Sequence, residues 1–232
     1  MKVCVIIPTY NEARQVGWLV REARQQGLDV LVVDDGSTDG TPKIARANGA
    51  HVLRNAVNQG KGRCLIRGFD YCLERGYDAV LTMDGDGQHL PEDIRHFLSL
   101  AVQSESAIIV GNRMQSTVNM PLARTITNRF MSWMISGMAK QKIPDSQCGF
   151  RLIKREALER IGLVTNRYEI ESEILIKAAR SGFKIDSVPI KTVYSDEKSR
   201  INPFVDTLRF FAFIIKEHGL RGFKKTDGGG AA

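Results

Sequence analysis

The sequence predicts an α/β protein built on an open, mostly parallel sheet flanked by helices. Three observations carry this. Short β-branched runs recur along the first half without alternating polar residues, as in strands covered on both faces. Each is followed by apolar residues at helical spacing, so strand and helix alternate five times, the pattern of right-handed crossovers. The polar stretches after the first, second and fourth runs all fall beyond the strands' carboxyl ends, the edge at which such sheets bind ligands.

In order, residues 3–7 (Val-Cys-Val-Ile-Ile) read as a central strand ending in Pro8-Thr9-Tyr10-Asn11-Glu12. Val16, Leu19, Val20 and Ala23 mark a helix up to Gly27. Residues 30–33 form a second strand, followed by Asp34-Asp35-Gly36-Ser37 and by Asp39 or Thr41 as cap of a helix containing Ile44 and Ala45. Residues 50–53 make a third strand, and Gly60-Lys61-Gly62 opens a helix through Leu73. That glycine-flanked lysine reads equally as a fragment of a phosphate loop or as a plain turn. Residues 79–83 form the fourth strand, 91–102 a helix and 107–110 a fifth strand, after which the alternation stops. A helix over 125–139 places Met131, Met134 and Met138 on one face, either core or a soft apolar surface. Glu169, Glu171 and Glu173 read as charges at the start of a helix over 169–179, and residues 183–190 as another strand. Residues 194–202 are polar and basic. The helix predicted over 203–216 is apolar nearly all round, so it packs on two sides or faces a partner subunit or a membrane.

The stretch that organises the chain is Asp84-Gly85-Asp86-Gly87-Gln88-His89. A buried strand delivers two carboxylates, two residues apart on one side of an extended backbone. Gly85 and Gly87 let the chain turn and let a polyanion approach closely. Two hard oxygen ligands in a shallow loop suit Mg²⁺ or Mn²⁺, which draws its other ligands from water and substrate phosphates, with Gln88 as a further oxygen. An ordinary acidic turn is the plainer alternative.

Composition narrows the partners. With 232 residues, 43% apolar and 25% charged, the chain can bury one sizeable core; its net charge of +7 favours anions such as nucleotides or anionic lipid head groups. The basic residues are dispersed and no nucleic-acid-binding motif is present. No run approaches the roughly 18–20 apolar residues of a membrane span, and Pro8 cuts the first run too early for a signal peptide. Cys4, Cys64, Cys72 and Cys148 show no CxxC spacing, which indicates reduced thiols in a cytoplasmic protein. Dinucleotide and P-loop glycine motifs are absent.

Taken together, Pro8-Thr9-Tyr10-Asn11-Glu12, Asp34-Asp35-Gly36-Ser37, Gly60-Lys61-Gly62, Asp84-Gly85-Asp86-Gly87-Gln88-His89 and Cys148-Gly149-Phe150-Arg151 resemble family 2 glycosyltransferases, and among them the dolichyl- or polyprenyl-phosphate sugar synthases. The resemblance covers about residues 2–211. It implies a GT-A fold over 1–218, with 1–113 as the nucleotide-sugar-binding half and 114–218 as the acceptor half, and a flexible tail over 219–232. It implies inverting, metal-dependent transfer of a sugar from a nucleotide-diphosphate donor to a polyprenyl phosphate at a membrane surface. Pro8, Tyr10 and Glu12 would line the nucleotide site, with Val33 and Asp35 at the base and Lys61 and Gly85 at the donor. Asp84, Asp86 and Gln88 would hold the metal, and Asp86 is assigned to catalysis. Arg113 and Arg200 would meet phosphates. Where the family has an earlier arginine in the late loop this chain has Tyr194 and Ser195, leaving Lys198 as the substitute cation. A hydroxyl acceptor would need a general base, for which Asp145 is the candidate. The rival readings are a transferase acting on hydroxyl acceptors, a nucleotidyltransferase releasing pyrophosphate, and a non-catalytic sugar-nucleotide sensor. Homo-oligomerisation is open.

Overall fold

Val5, Ile6 and Ile7 are completely buried in β1 (Val3–Thr9), the strand around which the rest is laid down. Each such side chain contributes about 1.5–3 kcal/mol of burial. In this computed structural model, which describes residues 1–115 and 120–193, the chain continues through α1 (Val16–Gln25), β2 (Asp29–Asp34), α2 (Thr41–Ala47), β3 (His51–Arg54) and α3 (Lys61–Glu74). Then come β4 (Ala79–Thr82), a 3₁₀ turn (Pro91–Asp93), α4 (Ile94–Gln103) and β5 (Ile108–Asn112). The remaining elements are α5 (Leu122–Ala139), β6 (Arg151–Lys154), α6 (Arg155–Arg160), α7 (Ile170–Arg180) and β7 (Ile185–Pro189). The predicted loop over 194–202, the helix over 203–216 and the tail lie outside the described residues, as do Lys198 and Arg200.

Among the described residues the sheet has seven strands in the order β3-β2-β1-β4-β6-β5-β7. All neighbours are parallel except β6, which runs antiparallel to both β4 and β5. The sequence reading missed β6. It has four residues, only Leu152 and Ile153 are apolar, and α6 follows it without a loop. Its direction matters for the site: Arg151 pairs with Thr82 and Val110, so β6 begins at the edge where its neighbours end. That antiparallel entry brings Cys148-Gly149-Phe150 to the carboxyl edge.

Two smaller expectations are corrected. Neither Asp39 nor Thr41 caps α2; Gly40 does, with φ of 87°, a left-handed conformation that costs glycine nothing. Asp39 Oδ1 instead accepts from Thr41 N at 3.1 Å and from its hydroxyl at 2.5 Å. Of the two readings of the three methionines the structure favours core: Met138 is buried, and Met131 and Met134 are half-buried. All four cysteines are free and buried, as expected. No described helix is long and apolar enough to cross a membrane.

Candidate active site

The first two polar loops form one unit. Asn11 N donates to Ser37 Oγ (2.8 Å), Thr38 N to Asn11 Oδ1 (2.8 Å), Glu12 N to Thr41 Oγ1 (2.9 Å) and Ala13 N to Asp39 Oδ2 (3.0 Å). The short polar side chains of both loops are thus spent on stapling them together at the carboxyl ends of β1 and β2. Tyr10 stands exposed on this rim and Pro8 is half-buried. The acidic loop packs against the same unit: a methyl on Gly85 would stand 2.9 Å from Thr9 Cγ2 and 3.1 Å from Pro8 O. Only a residue without Cβ lets the two loops meet.

Within the acidic loop, Asp84 N donates to His89 Nδ1 at 3.3 Å, so His89 carries its proton on Nε2, 3.9 Å from Cys148 Sγ. His89 is buried and stacked on Phe150 at 5.1 Å. Burial lowers its pKa, against the pull of Asp84 and Asp86. It is a neutral strut that shapes the loop. Asp86 is half-buried and its Oδ1 accepts from Gln88 N at 3.0 Å. Burial, and then the neighbouring Asp84 charge, raise the Asp86 pKa. A carboxylate strained by a like charge beside it is what a cation would relieve.

Asp84 already has one cation. Lys61 Nζ lies 2.5 Å from Asp84 Oδ1 and 2.8 Å from Glu171 Oε1. Burial would raise the Asp84 pKa, but chiefly Lys61 overrides it and holds the carboxyl down to about 2. Burial opposes the Lys61 charge as well, and Asp84 and Glu171 outweigh it, raising its pKa. Glu171 Oε2 in turn meets Arg151 Nη2 at 3.0 Å. The result is a buried row of alternating charge, Asp84, Lys61, Glu171, Arg151. Arg151 is fully buried and also donates to the carbonyls of Cys148 (2.7 Å), Ser146 (2.8 Å) and Glu171 (2.5 Å). A methyl on Gly149 would stand 2.7 Å from both Asp84 Oδ2 and Lys61 Nζ, so the backbone there rests on the ion pair.

Several sequence assignments take on a definite geometry here. The glycines flanking Lys61 are packing glycines: a methyl on Gly60 or Gly62 would stand 2.5 Å from the carbonyl oxygens of Asn166 and Thr165, respectively. Glu171 and Glu173 stand in the first turn of α7, as expected, but both are buried. Glu173 is buried and accepts from Val164 N (3.0 Å), Thr165 N (2.9 Å) and Thr165 Oγ1 (2.6 Å), securing the strap that crosses Gly60 and Gly62. Asp35, expected at the base, accepts from Asn55 Nδ2 (2.8 Å), Gln59 N (2.9 Å) and Gly60 N (2.8 Å). Val33 is buried within β2 beside Pro8. Asp145 and Arg113, expected as base and phosphate ligand, are brought together: Arg113 Nε and Nη2 donate to the two carboxylate oxygens at 2.7 and 2.9 Å. Arg113 N and Gln147 N complete the Asp145 shell at 3.1 and 3.3 Å.

Sequence reasoning missed Glu171 and Arg151, whose buried state no local pattern announces. It also missed Thr9 and Asp34, neighbours across β1 and β2. Thr9 Oγ1 and Asp34 Oδ1 are buried at the carboxyl edge and make no hydrogen bond, although Asp34 Oδ2 holds Ser37 N at 3.2 Å and Arg54 Nε at 3.2 Å. Buried polar atoms without a partner are costly and mark places where a ligand can complete the bonding.

An open, mostly parallel sheet with paired carboxylates and an anchored arginine at its carboxyl edge is the arrangement of the GT-A fold, and the comparisons give the class of protein built on it. The chain belongs to glycosyl transferase family 2, whose family model matches residues 4–162. It is 34% identical to an undecaprenyl-phosphate mannosyltransferase of Micrococcus luteus, over 83% of this chain and 84% of that one. It is 31% identical to a UDP-N-acetylglucosamine–dolichyl-phosphate N-acetylglucosaminyltransferase of Methanococcus voltae, over 84% and 86%. Among solved structures it is similar in fold to glucosyl-3-phosphoglycerate synthase from Mycobacterium tuberculosis in complex with Mn²⁺, UDP and glucosyl-3-phosphoglycerate, with a TM-score of 0.71 and 18% identity over 94% of this chain and 80% of that one.

Proposed function

We propose that this glycosyltransferase moves a sugar from a nucleotide-diphosphate donor to a polyprenyl phosphate, with inversion at the anomeric carbon. The observation that carries the choice of acceptor is the Arg113–Asp145 pair. A hydroxyl acceptor needs a general base, yet Asp145 is completely buried under four N–H donors, and Glu171 is buried under Lys61 and Arg151. An acceptor that is already an anion needs orientation instead, and a guanidinium fixed by a bidentate carboxylate supplies it. The two relatives named above act, by their names, on lipid phosphates.

The donor half is residues 1–113 and the acceptor half residues 114–218. Pro8, Tyr10, Glu12, Thr9 and Asp34 line the nucleotide edge. Asp84, Asp86 and Gln88 fit a divalent cation of the kind that takes its remaining ligands from water and diphosphate. Mg²⁺ bound this way keeps several waters and needs only one or two carboxylates plus substrate phosphates. When bound, such an ion supplies neutralising charge at the departing diphosphate. The acceptor phosphate oxygen forms the new bond to the anomeric carbon on the face opposite the breaking bond to the diphosphate. Arg113 orients the incoming phosphate, and Lys61, held by Glu171, keeps Asp84 ionised and in place. The relatives differ in their named sugars, mannose and N-acetylglucosamine, so a donor panel is required.

The test is transfer by the purified chain from a panel of nucleotide sugars with Mg²⁺ or Mn²⁺, with and without a short polyprenyl phosphate. Turnover that depends on the lipid phosphate is expected, and Asp86→Ala should lower it by about 10²-fold or more. Turnover on hydroxyl acceptors alone would overturn the reading.

A further inference from the structure

The N-terminal half of α5 is inside out. Its buried side carries Thr125, Asn128 and Ser132, while Leu122, Ile126, Phe130 and Trp133 are exposed to 75%, 60%, 48% and 71%. At 3.6 residues per turn these four fall within about 80° of arc and extend for about 17 Å. Phe130 and Trp133 are in ring contact at 6.0 Å, forming one continuous patch. A soluble helix ordinarily shows the reverse pattern, and exposed apolar surface of this kind marks an interaction site. The segment around it is charged in one sense only: residues 121–144 contain Arg124, Arg129, Lys140 and Lys142 and no acidic residue. Arg129 and Lys140 are exposed.

We infer that this face of α5 docks on an anionic bilayer surface, with the apolar stripe entering the acyl boundary and the basic residues meeting anionic head groups. A second copy of the chain fits the charge poorly, because a two-fold contact would set a segment with four cationic side chains against itself. The buried side of the same helix is fastened to the loop that carries Asp145. Ser146 N donates to Ser132 Oγ at 2.9 Å, and Ile143 N donates to Ser136 Oγ at 2.9 Å. Docking through the stripe therefore brings the Arg113–Asp145 side of the site to the membrane. The inference rests on the proposed lipid acceptor only for its purpose; the docking itself is testable without any sugar.

The experiment uses the full chain and its F130E/W133E double variant, with vesicles of phosphatidylcholine alone or with phosphatidylglycerol added at about one third. Flotation should show wild-type protein on the anionic vesicles and at least a tenfold loss of binding in the variant. In a Trp18→Phe background, Trp133 emission should shift to the blue on adding anionic vesicles. Transfer to polyprenyl phosphate embedded in those vesicles should fall with binding, while transfer to a short water-soluble polyprenyl phosphate should stay at the wild-type rate. Vesicle binding with no transfer to either acceptor would leave the docking surface standing and sink the acceptor assignment. Absence of wild-type vesicle binding, undiminished binding by the variant, or a wild-type dimer in solution that the variant dissolves would overturn the inference.

Discussion

Changing Asp145 to asparagine separates an orienting role from a base. In the native site its carboxylate accepts from Arg113 Nε and Nη2 at 2.7 and 2.9 Å and from two backbone N–H groups. The two side chains are 0% and 10% exposed, so water cannot replace the lost partner. Asparagine keeps the shape but swaps one accepting oxygen for an NH₂ that faces a guanidinium N–H, and it removes the negative charge that faces this buried cation. Removing one partner of such a pair costs about 3–5 kcal/mol. With a urea m-value of about 2 kcal/mol/M, the unfolding midpoint should fall by about 1.5–2.5 M. Transfer should drop as far as in Arg113→Ala, and the double variant should be no worse than either single one, because both remove the same unit. A variant with the native midpoint that had lost a turnover on hydroxyl acceptors shown by the wild type would refute this reasoning and return Asp145 to the role of base.

Acid should uncover the Lys61–Asp84 pair. The Asp84 pKa is lowered to about 2 in the fold, so its contribution is present above the unfolded value of about 3.9 and is lost as pH falls through the folded one. Between about pH 4 and pH 2 the wild type should therefore lose stability more steeply than Asp84→Asn, measured by urea titration; parallel curves would show the pair to be inert. Gly149→Ala places a methyl 2.7 Å from both members of that pair and should weaken donor binding in titration calorimetry with little loss of stability, since the atoms it meets are side-chain ends at the site. Gly62→Ala meets backbone at 2.5–2.9 Å and should cost about 1–3 kcal/mol in the fold itself. Equal effects of the two substitutions on stability would contradict the division between site glycine and packing glycine.

The alternating strands and helices of the first half were legible because β1, β2, β4 and β5 are built on short buried apolar runs that lead into polar loops. The Asp84–Asp86 pair was legible for the same reason, since its strand and its loop are contiguous in sequence. By itself the sequence therefore determined the parallel strands of the first half, the position of the Asp84–Asp86 loop at their carboxyl ends and the family to which the chain belongs, but not β6. What it could not determine were partnerships between residues distant along the chain. Arg113 and Asp145 lie 32 positions apart, and their meeting decides whether either is free to react. Lys61, Glu171 and Arg151 come from α3, α7 and β6, and only the antiparallel entry of β6 sets them in one row with Asp84. The exposed face of α5 was likewise a matter of packing: Leu122, Ile126, Phe130 and Trp133 have the spacing of a core stripe, and the tertiary structure turns the small polar residues inward instead. Periodicity gives the faces of a helix but not which face is buried, and here the buried face is the one whose Ser132 and Ser136 hydroxyls accept from the loop at 143–146.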